Sequence, residues 1–399
     1  MKWAFLLGSP NISGGTYVIF EHAIRNQKDG DDVYIITEAP VTPEDVKWHK
    51  DASTLKFITY KEAESLEFDF VIATWWRTVY ELYRVKAKNY LYFVQSIESK
   101  FYPETEKSLR WLVEATYLLP LGIITEATWI KEYLENRFGR NVQLVHNGIR
   151  KDLYKEEGPT YKKCKGLRVL VEGPIDVSFK NVPKTIDLVN KSKADEIWLL
   201  TSSDISEYPG VDRLFSRVSI NDTPKVYRSC DVIIKLSYVE GMFGPPLEMF
   251  HCGGTAITYN VSGHDEYLIN DFNSFVIDTD DEQKVIDSIN LLKENPKKLN
   301  ELKKNARKTA NEWIDWEQSS KEFKQAILKL RNDYAIKQDV IAYQSKFLFN
   351  AYINYEEKDI KVKKFILKKV QQKTPLMYKV YRSLKRFIIK MLGKKNENV

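Results

Sequence analysis

The sequence predicts an α/β protein with two doubly wound parallel-sheet domains that face each other across a cleft. Apolar segments of strand length alternate with amphipathic segments of helix length, and this alternation stops and then restarts. The polar stretch YKEEGPTYKKCKG separates the two series. A chain of 399 residues is also too long for one ordinary core. We therefore expect domains at 1–160 and 161–330, followed by a helical, basic segment at 331–399.

The first series begins with a βαβ unit, in which the strand KWAFLLG is followed by a glycine turn that opens the helix SGGTYVIFEHAIRNQ and by the strand DDVYIIT. The pattern continues through the strands DFVIATWW, NYLYFVQS, LGIIT and NVQLVHNG and the helices EKSLRWLVEATYLL and ATWIKEYLENRF. Strands joined by helices form parallel sheets, so this series predicts a Rossmann-like domain.

The second series repeats the alternation, with the strands LRVLVEG, EIWLLTS, DVIIKLS, TAITYN and SFVID and the helices VPKTIDLVNKS, TPKVYRSC and PPLEMFHCGG. Ligands of doubly wound sheets bind outside the carboxyl ends of the strands. The functional residues are therefore expected in the loops that follow the strands of both domains.

Composition excludes several classes of protein. With 43% hydrophobic and 13% aromatic residues the chain is globular, and no stretch reaches the ~20 apolar residues of a membrane span. The N-terminal run WAFLLG is short and ends in Ser9 and Pro10, which predicts a strand and not a signal peptide. The cysteines Cys164, Cys230 and Cys252 are an odd number without metal-ligand spacing, and no histidines pair at such a spacing. We expect a cytoplasmic protein without a metal.

The positive charge is concentrated in the tail. Residues 361–399 carry a net charge of +12 and the rest of the chain −6, within a total of +6. Residues 376–392 have a helical pattern with an apolar face opposite a basic face, which is typical of a helix that lies on an anionic membrane. The alternatives are a helix that packs on the main body, or a nucleic-acid contact in a non-catalytic binding protein, which the acidic body and the missing RNA-binding motif disfavour.

The segment EGMFGPPLE predicts an anion site between two carboxylates. The loop from Gly241 to Gly244, which includes Met242 and Phe243, precedes two prolines that favour the first turn of a helix. Its amides could bind an anion in front of the helix N-terminus. Glu240 stands before the loop, and Glu248 is expected in the first helical turn, where both could bind hydroxyl groups.

Further candidates also follow predicted strands. They are the glycine pair Gly14 and Gly15, the polar residues Gln95 and Glu98 beside Phe101 and Tyr102, the Asn147 turn in VHNGI, and Lys180. Each has a simpler interpretation: a turn glycine pair, aromatic core packing, an Asn-Gly turn and a solvated surface lysine. His264, Asp265 and Glu266 are either a loop near the cleft or a capped helix start.

The string SCDVIIKLSYVEGMFGPPLEMFHCGGTAITYNVSGHDEYLIN resembles the pattern of family 4 glycosyltransferases of the GT-B fold: an apolar strand, two glutamates separated by seven residues, a Cys-Gly turn, a strand and a Gly-x-x-Glu loop. The segments SGGT, VHNGI, FKN and WIDWEQSSKEF occur in the family's order, so the resemblance covers roughly residues 1–330. YFVQSIESKFYP is similar to a stretch in the members that build bacterial surface polysaccharides.

The resemblance implies a retaining, metal-independent transfer of a hexosyl or deoxyhexosyl group from a nucleotide sugar, bound by the second domain, to a glycan or lipid-linked acceptor, bound by the first. It places Glu248 on the ribose, Glu240 on the donor sugar and Lys180 on the diphosphate, with Gly173 and Asn181 nearby. The family usually has an arginine where this chain has Pro174. A GT-B epimerase or phosphorylase is the enzymatic alternative.

Overall fold

The computed structural model describes residues 1–162, 165–331 and 337–373. Its first sheet has seven parallel strands in the order β3-β2-β1-β4-β5-β6-β7, so the connection reverses direction between β1 and β4. The bounds are β1 Lys2–Leu6, β2 Asp32–Thr37, β3 Lys56–Thr59, β4 Glu67–Ala73, β5 Lys86–Val94, β6 Gly122–Thr125 and β7 Val142–Leu144.

Helices cover the first sheet and are joined to the strands by short loops. Their bounds are α1 Gly14–Lys28, α2 Tyr60–Ala63, α3 Trp76–Val79, α4 Lys107–Ala115 and α5 Thr128–Phe138. Helix α1 begins where the sequence predicts, because the Ser13 side chain accepts a hydrogen bond from the amide of Thr16 and caps the first turn.

The second sheet has six parallel strands in the order β10-β9-β8-β11-β12-β13, and here the reversal lies between β8 and β11. Its elements are the strands β8 Arg168–Glu172, β9 Glu196–Thr201, β10 Arg213–Ser216, β11 Val232–Lys235, β12 Thr255–Tyr259 and β13 Ser274–Ile277, and the helices α6 Val182–Asn190, α7 Thr223–Tyr227, α8 Gly244–His251, α9 Glu282–Glu294 and α10 Pro296–Glu312.

Two further helices return to the first sheet. Helix α11 (Trp316–Lys329) packs against α1, where the ring of Phe323 stacks on His22 and Ser320 hydrogen-bonds to the same histidine. Helix α12 (Gln338–Lys373) packs against α4, and its Phe349 contacts Tyr80 edge to face. Both helices therefore connect the end of the chain to its first half.

The predicted fold class is confirmed: there are two doubly wound parallel sheets and a helical C-terminal region. The sequence interpretation missed strands β3 and β10. Both lie at sheet edges and are only partly buried, so their apolar signal is weak. The predicted amphipathic helix at 376–392 lies outside the described residues. Within the described part of the chain, no helix is long and apolar enough to cross a membrane.

Candidate functional site

A cleft of about 740 Å³ lies between the carboxyl ends of the two sheets. On one side it is lined by the loop from Gly8 to Tyr17 and by the residues that follow β4, β5 and β6. On the other side it is lined by the residues that follow β8, β9 and β11. Both points of strand reversal open into this cleft, which is where doubly wound sheets bind ligands.

The strand reversal in the second sheet carries a buried ion pair. Glu172 ends β8 and Lys235 ends the neighbouring β11, and the lysine Nζ lies 2.5 Å from Glu172 Oε2. Lys235 is only 3% exposed. Burial acts to lower the pKa of Lys235, but Glu172 and Glu240 outweigh it and raise the pKa, so the lysine stays charged.

Lys180 and Glu240 form a second ion pair beside the first. Lys180 Nζ donates to Glu240 Oε2 at 2.8 Å, and Lys235 Nζ lies 3.9 Å from Glu240 Oε1. Burial acts to raise the pKa of Glu240, yet the two lysines hold it below its ordinary value. Four charges of alternating sign, with the carboxylates ionised, thus line this face of the cleft. The interpretation of Lys180 as a free surface lysine is wrong.

Asn181 positions Lys180 without lining the cavity. Its backbone is left-handed, with φ of 56°, a conformation that asparagine adopts more readily than most residues. Its side-chain amide donates to the carbonyl of Leu236 at 3.0 Å and so ties the turn before α6 to the end of β11. The predicted donor residues Gly173 and Phe243 also lie behind the cavity wall, and the Phe243 side chain is fully buried.

The predicted amide cradle is only partly present. The amide of Met242 donates to Glu126 Oε1 at 3.2 Å, and that of Gly244 donates to the carbonyl of Met242 at 3.0 Å. Among the described residues, the amides of Gly241 and Phe243 have no such acceptor. The loop therefore offers two amides, not four.

Helix α8 begins at Gly244, so Pro245 and Pro246 occupy its first turn and Glu248 its second turn. The expected position of Glu248 in the first turn is wrong by one turn. Because proline has no N–H, this helix N-terminus has fewer donors than usual. Glu248 still faces the cleft, where burial raises its pKa to about 7 and hydrogen bonds from Tyr227 and Tyr154 act against that rise.

The first-domain face contains the predicted acceptor candidates. Gly14 and Gly15 begin α1 at the cavity wall, and a Cβ on Gly15 would lie 3.2 Å from the side-chain oxygen of Gln95. Glu98 accepts hydrogen bonds from the Trp76 amide at 2.8 Å and the Tyr92 hydroxyl at 2.9 Å. Burial raises the pKa of Glu98 to about 8. A neutral, polar surface therefore faces the charged one.

Glu126 is a site residue that the sequence interpretation missed. It follows β6, lines the cleft and accepts a hydrogen bond at 2.9 Å from Asn147, besides the one from the Met242 amide. Burial raises the pKa of Glu126 to about 7. Glu126, Glu172 and Lys235 share one sequence signal: each is a charged residue at the carboxyl end of a buried parallel strand, where a charge needs a partner or a ligand.

Contacts between the two units hold the Gly241 loop close to the first sheet. Trp129 Nε1 donates to the Gly241 carbonyl at 2.9 Å, and a Cβ on Gly241 would lie 2.0 Å from the carbonyl of Gln95. Only glycine permits this approach. The rings of Phe101 and Phe179 stack across the cleft at 4.8 Å.

The residues around Glu266 form another link between the units. The Glu266 carboxylate binds His146 Nε2 at 2.8 Å and the Thr128 hydroxyl at 3.1 Å. Among the residues with described coordinates, Cys230 and Cys252 are buried free thiols, and no cluster of potential metal ligands occurs. Cys164 lies outside those residues.

Residues 212–309 match the family model described as Glycosyl transferases group 1, a range that includes Glu240 and Glu248. No curated protein sequence is significantly similar to this chain. The chain thus carries a glycosyltransferase group 1 segment within its second sheet.

Several solved structures share the fold. Anabaena HepE, solved with UDP and glucose, has 15% identity and a TM-score of 0.66, covering 83% of this chain and 100% of HepE. Sucrose-phosphate synthase from Thermosynechococcus elongatus has 15% identity and a TM-score of 0.68, covering 83% and 99%. TarM, from S. aureus, has 10% identity and a TM-score of 0.64, covering 82% and 99%. This architecture is the two-domain GT-B fold.

Proposed function

We propose that this protein is a retaining glycosyltransferase of the family 4 type that transfers a hexosyl or deoxyhexosyl group from a nucleotide sugar. The observation that carries the proposal is the charged face at the strand reversal, where Lys180, Lys235, Glu240 and Glu248 converge in the cleft. The match at 212–309 supports it, because the segment includes both glutamates. UDP, found in the HepE structure, is the first nucleotide to test.

The chemistry separates charge across the cleft. The bond from the anomeric carbon to the diphosphate oxygen breaks, and its electron pair stays on the nucleoside diphosphate. The acceptor hydroxyl bonds to the same face of the anomeric carbon and loses its proton. Lys180 and the amides of Gly241 and Phe243 stabilise the leaving charge, an effect that reaches ~3 kcal/mol per donor. Glu240 binds a sugar hydroxyl and Glu248 the ribose, with no metal required.

The opposite face suits an acceptor that is polar but uncharged at the reacting end. Gln95, Asn147 and the protonated Glu98 present amide and hydroxyl groups to the cavity. Such groups hydrogen-bond sugar hydroxyls without attracting an anion. We propose that the acceptor is a glycan or lipid-linked sugar of bacterial surface-polysaccharide biosynthesis.

A peripheral contact with the inner face of the cell membrane would bring this acceptor to the cleft. Helix α12 packs on α4 of the first unit and exposes a row of aromatic side chains, of which Tyr343 is 72%, Phe347 61% and Tyr355 60% exposed. Its last turns, residues 361–373, contain six lysines and no acidic residue. Exposed aromatics beside clustered lysines favour an anionic lipid surface.

A donor panel tests the activity. Purified full-length protein is incubated with UDP-, GDP- and dTDP-sugars, with and without a glycan acceptor and with and without EDTA. We expect release of one nucleoside diphosphate, a new glycosidic bond in the product, and unchanged rates in EDTA. Loss of activity in EDTA that Mg²⁺ restores would contradict the metal-independent site. A product without a new glycosidic bond would favour the epimerase alternative, and sugar phosphate formed with phosphate as acceptor would favour the phosphorylase.

Vesicle flotation tests the membrane contact. We expect full-length protein to bind vesicles with anionic lipid at low salt, and a chain that ends at Ile360 to remain unbound. Neutral vesicles serve as the control, since each lysine contributes ~1 kcal/mol only near anionic lipid. Equal binding by both chains, or by neither, would remove residues 361–399 as the contact.

A further inference from the structure

Lys235 is a buried cation for which the proposed roles above provide no ligand. It ends the central strand β11 and lines the cleft at the strand reversal. Its ammonium donates to the carboxylate of Glu172 at 2.5 Å and to the carbonyl of Glu172 at 3.3 Å. An ammonium has three N–H donors. Among the described residues, the third has no acceptor within hydrogen-bonding distance, because Glu240 Oε1 lies 3.9 Å away.

The loop beside Lys235 lacks donors for an anion. Met242 and Gly244 use their amides within the protein, and Pro245 and Pro246 have none. A diphosphate in front of this loop therefore meets fewer amides than a helix N-terminus normally provides. Positive side chains have to supply the missing stabilisation.

Lys235 is placed to do so. Its Nζ lies 3.7 Å from the position that a Cβ on Gly173 would occupy, at the turn where the chain continues into Pro174. This is the turn that follows β8, and Lys180 and Glu240 close the other side of the same space. A charged lysine in such a buried place is costly unless it is paired, and Glu172 provides the pair while the site is free.

We propose that Lys235 is a second cation for the diphosphate of the donor, with Glu172 holding its ammonium in place before the donor binds. The proposal rests on the function proposed above. Lys235 transfers no proton. When the anomeric bond breaks and its electron pair moves to the phosphate oxygen, the unused N–H of Lys235 stabilises the added negative charge, opposite Lys180.

The test compares nucleotide binding in the full chain by titration calorimetry. The probes are UDP, GDP and dTDP and the matching nucleosides, and the diphosphate that binds wild type best is used for all variants. Lys235→Met removes the charge and retains most of the side-chain volume. We expect it to weaken diphosphate binding roughly 10- to 100-fold and to leave nucleoside binding unchanged.

A double variant separates ligand binding from structural support. Lys235→Met leaves Glu172 buried without a cation, which could distort the site, whereas Lys235→Met with Glu172→Gln removes both charges. If Lys235 only neutralises Glu172, the double variant regains wild-type diphosphate affinity. If Lys235 binds the diphosphate, the double variant stays weak. The control is Lys184→Met, an exposed lysine on α6 paired with Glu282, which should bind like wild type.

The outcomes are distinct. Diphosphate affinity near wild type in the double variant, or equal losses for diphosphate and nucleoside, would overturn the role of Lys235 and leave the glycosyltransferase proposal standing. Failure of wild type to bind any of the three diphosphates would overturn both. A loss confined to the diphosphate in both variants is the expected result.

Discussion

The two faces of the cleft bury carboxyl groups with opposite consequences. On the second-sheet face, Glu240 is held ionised because Lys180 and Lys235 outweigh the effect of burial. On the first-sheet face, burial raises the pKa of Glu98 to about 8 and that of Glu126 to about 7, because no lysine pairs with either at hydrogen-bonding distance among the described residues.

The difference follows from the partners, since burial is similar on both faces. Glu240 is 6% exposed, and Glu98 and Glu126 are each 5% exposed. A face with paired cations suits a ligand whose negative charge increases during the reaction. A face with largely neutral carboxyl groups suits hydroxyl groups. The cleft thus distinguishes a donor side from an acceptor side by charge.

The largest expected effect comes from removing a cation of the donor side. Lys180→Ala should lower kcat/KM roughly 10- to 200-fold, because a charge-assisted contact contributes ~1.5 to 3 kcal/mol. Steady-state kinetics with the donor identified by the panel would measure the loss. Lys184→Ala is the matched control on the next helix. A near wild-type rate in folded Lys180→Ala protein would remove Lys180 from the donor site.

A second prediction concerns the acceptor side and stability. Glu126 has a pKa of about 7 when folded and an ordinary value of 4.5, so the folded chain binds more protons between these pH values. Its contribution is present below about pH 4.5 and is lost as the pH rises through about 7, on the order of 3 kcal/mol in the free energy of unfolding.

Glu126→Gln should remove this part of the pH dependence. Urea unfolding at pH 5 and pH 8 would show wild type losing more stability than the variant over that interval. Glu44→Gln, at an exposed carboxylate paired with Lys47, is the control and should retain the wild-type slope. An unchanged slope in Glu126→Gln would show that Glu126 is ionised in the folded chain.

The smallest expected effect concerns the link between the faces. Trp129→Phe removes the hydrogen bond to the Gly241 carbonyl and keeps an aromatic ring. We expect donor binding to weaken about fivefold, corresponding to ~1 kcal/mol for one hydrogen bond. Trp111→Phe, on an exposed part of α4, is the control and should bind the donor normally. Equal affinity in wild type and Trp129→Phe would show that donor binding does not depend on this contact.

The sequence determined the parts of the site that are local. The alternation of buried strands and amphipathic helices predicted both sheets, because the core-facing period repeats within each segment. The position of Glu240, Lys180 and Gln95 after strands predicted that they would meet at one cleft, since parallel strands bring their carboxyl ends to the same edge. Pro245 and Pro246 predicted the start of α8, although the helix begins one residue before them.

The tertiary structure alone decided which groups are neighbours. Glu172 and Lys235 are 63 residues apart, and only the pairing of β8 with β11 makes them an ion pair. Glu126 meets Met242 only because the two sheets face each other. Contacts between distant segments depend on how the sheets pack, and pKa values depend on those contacts. The chain's local pattern therefore predicted where a ligand would bind, and long-range packing set the charge of each group that would bind it.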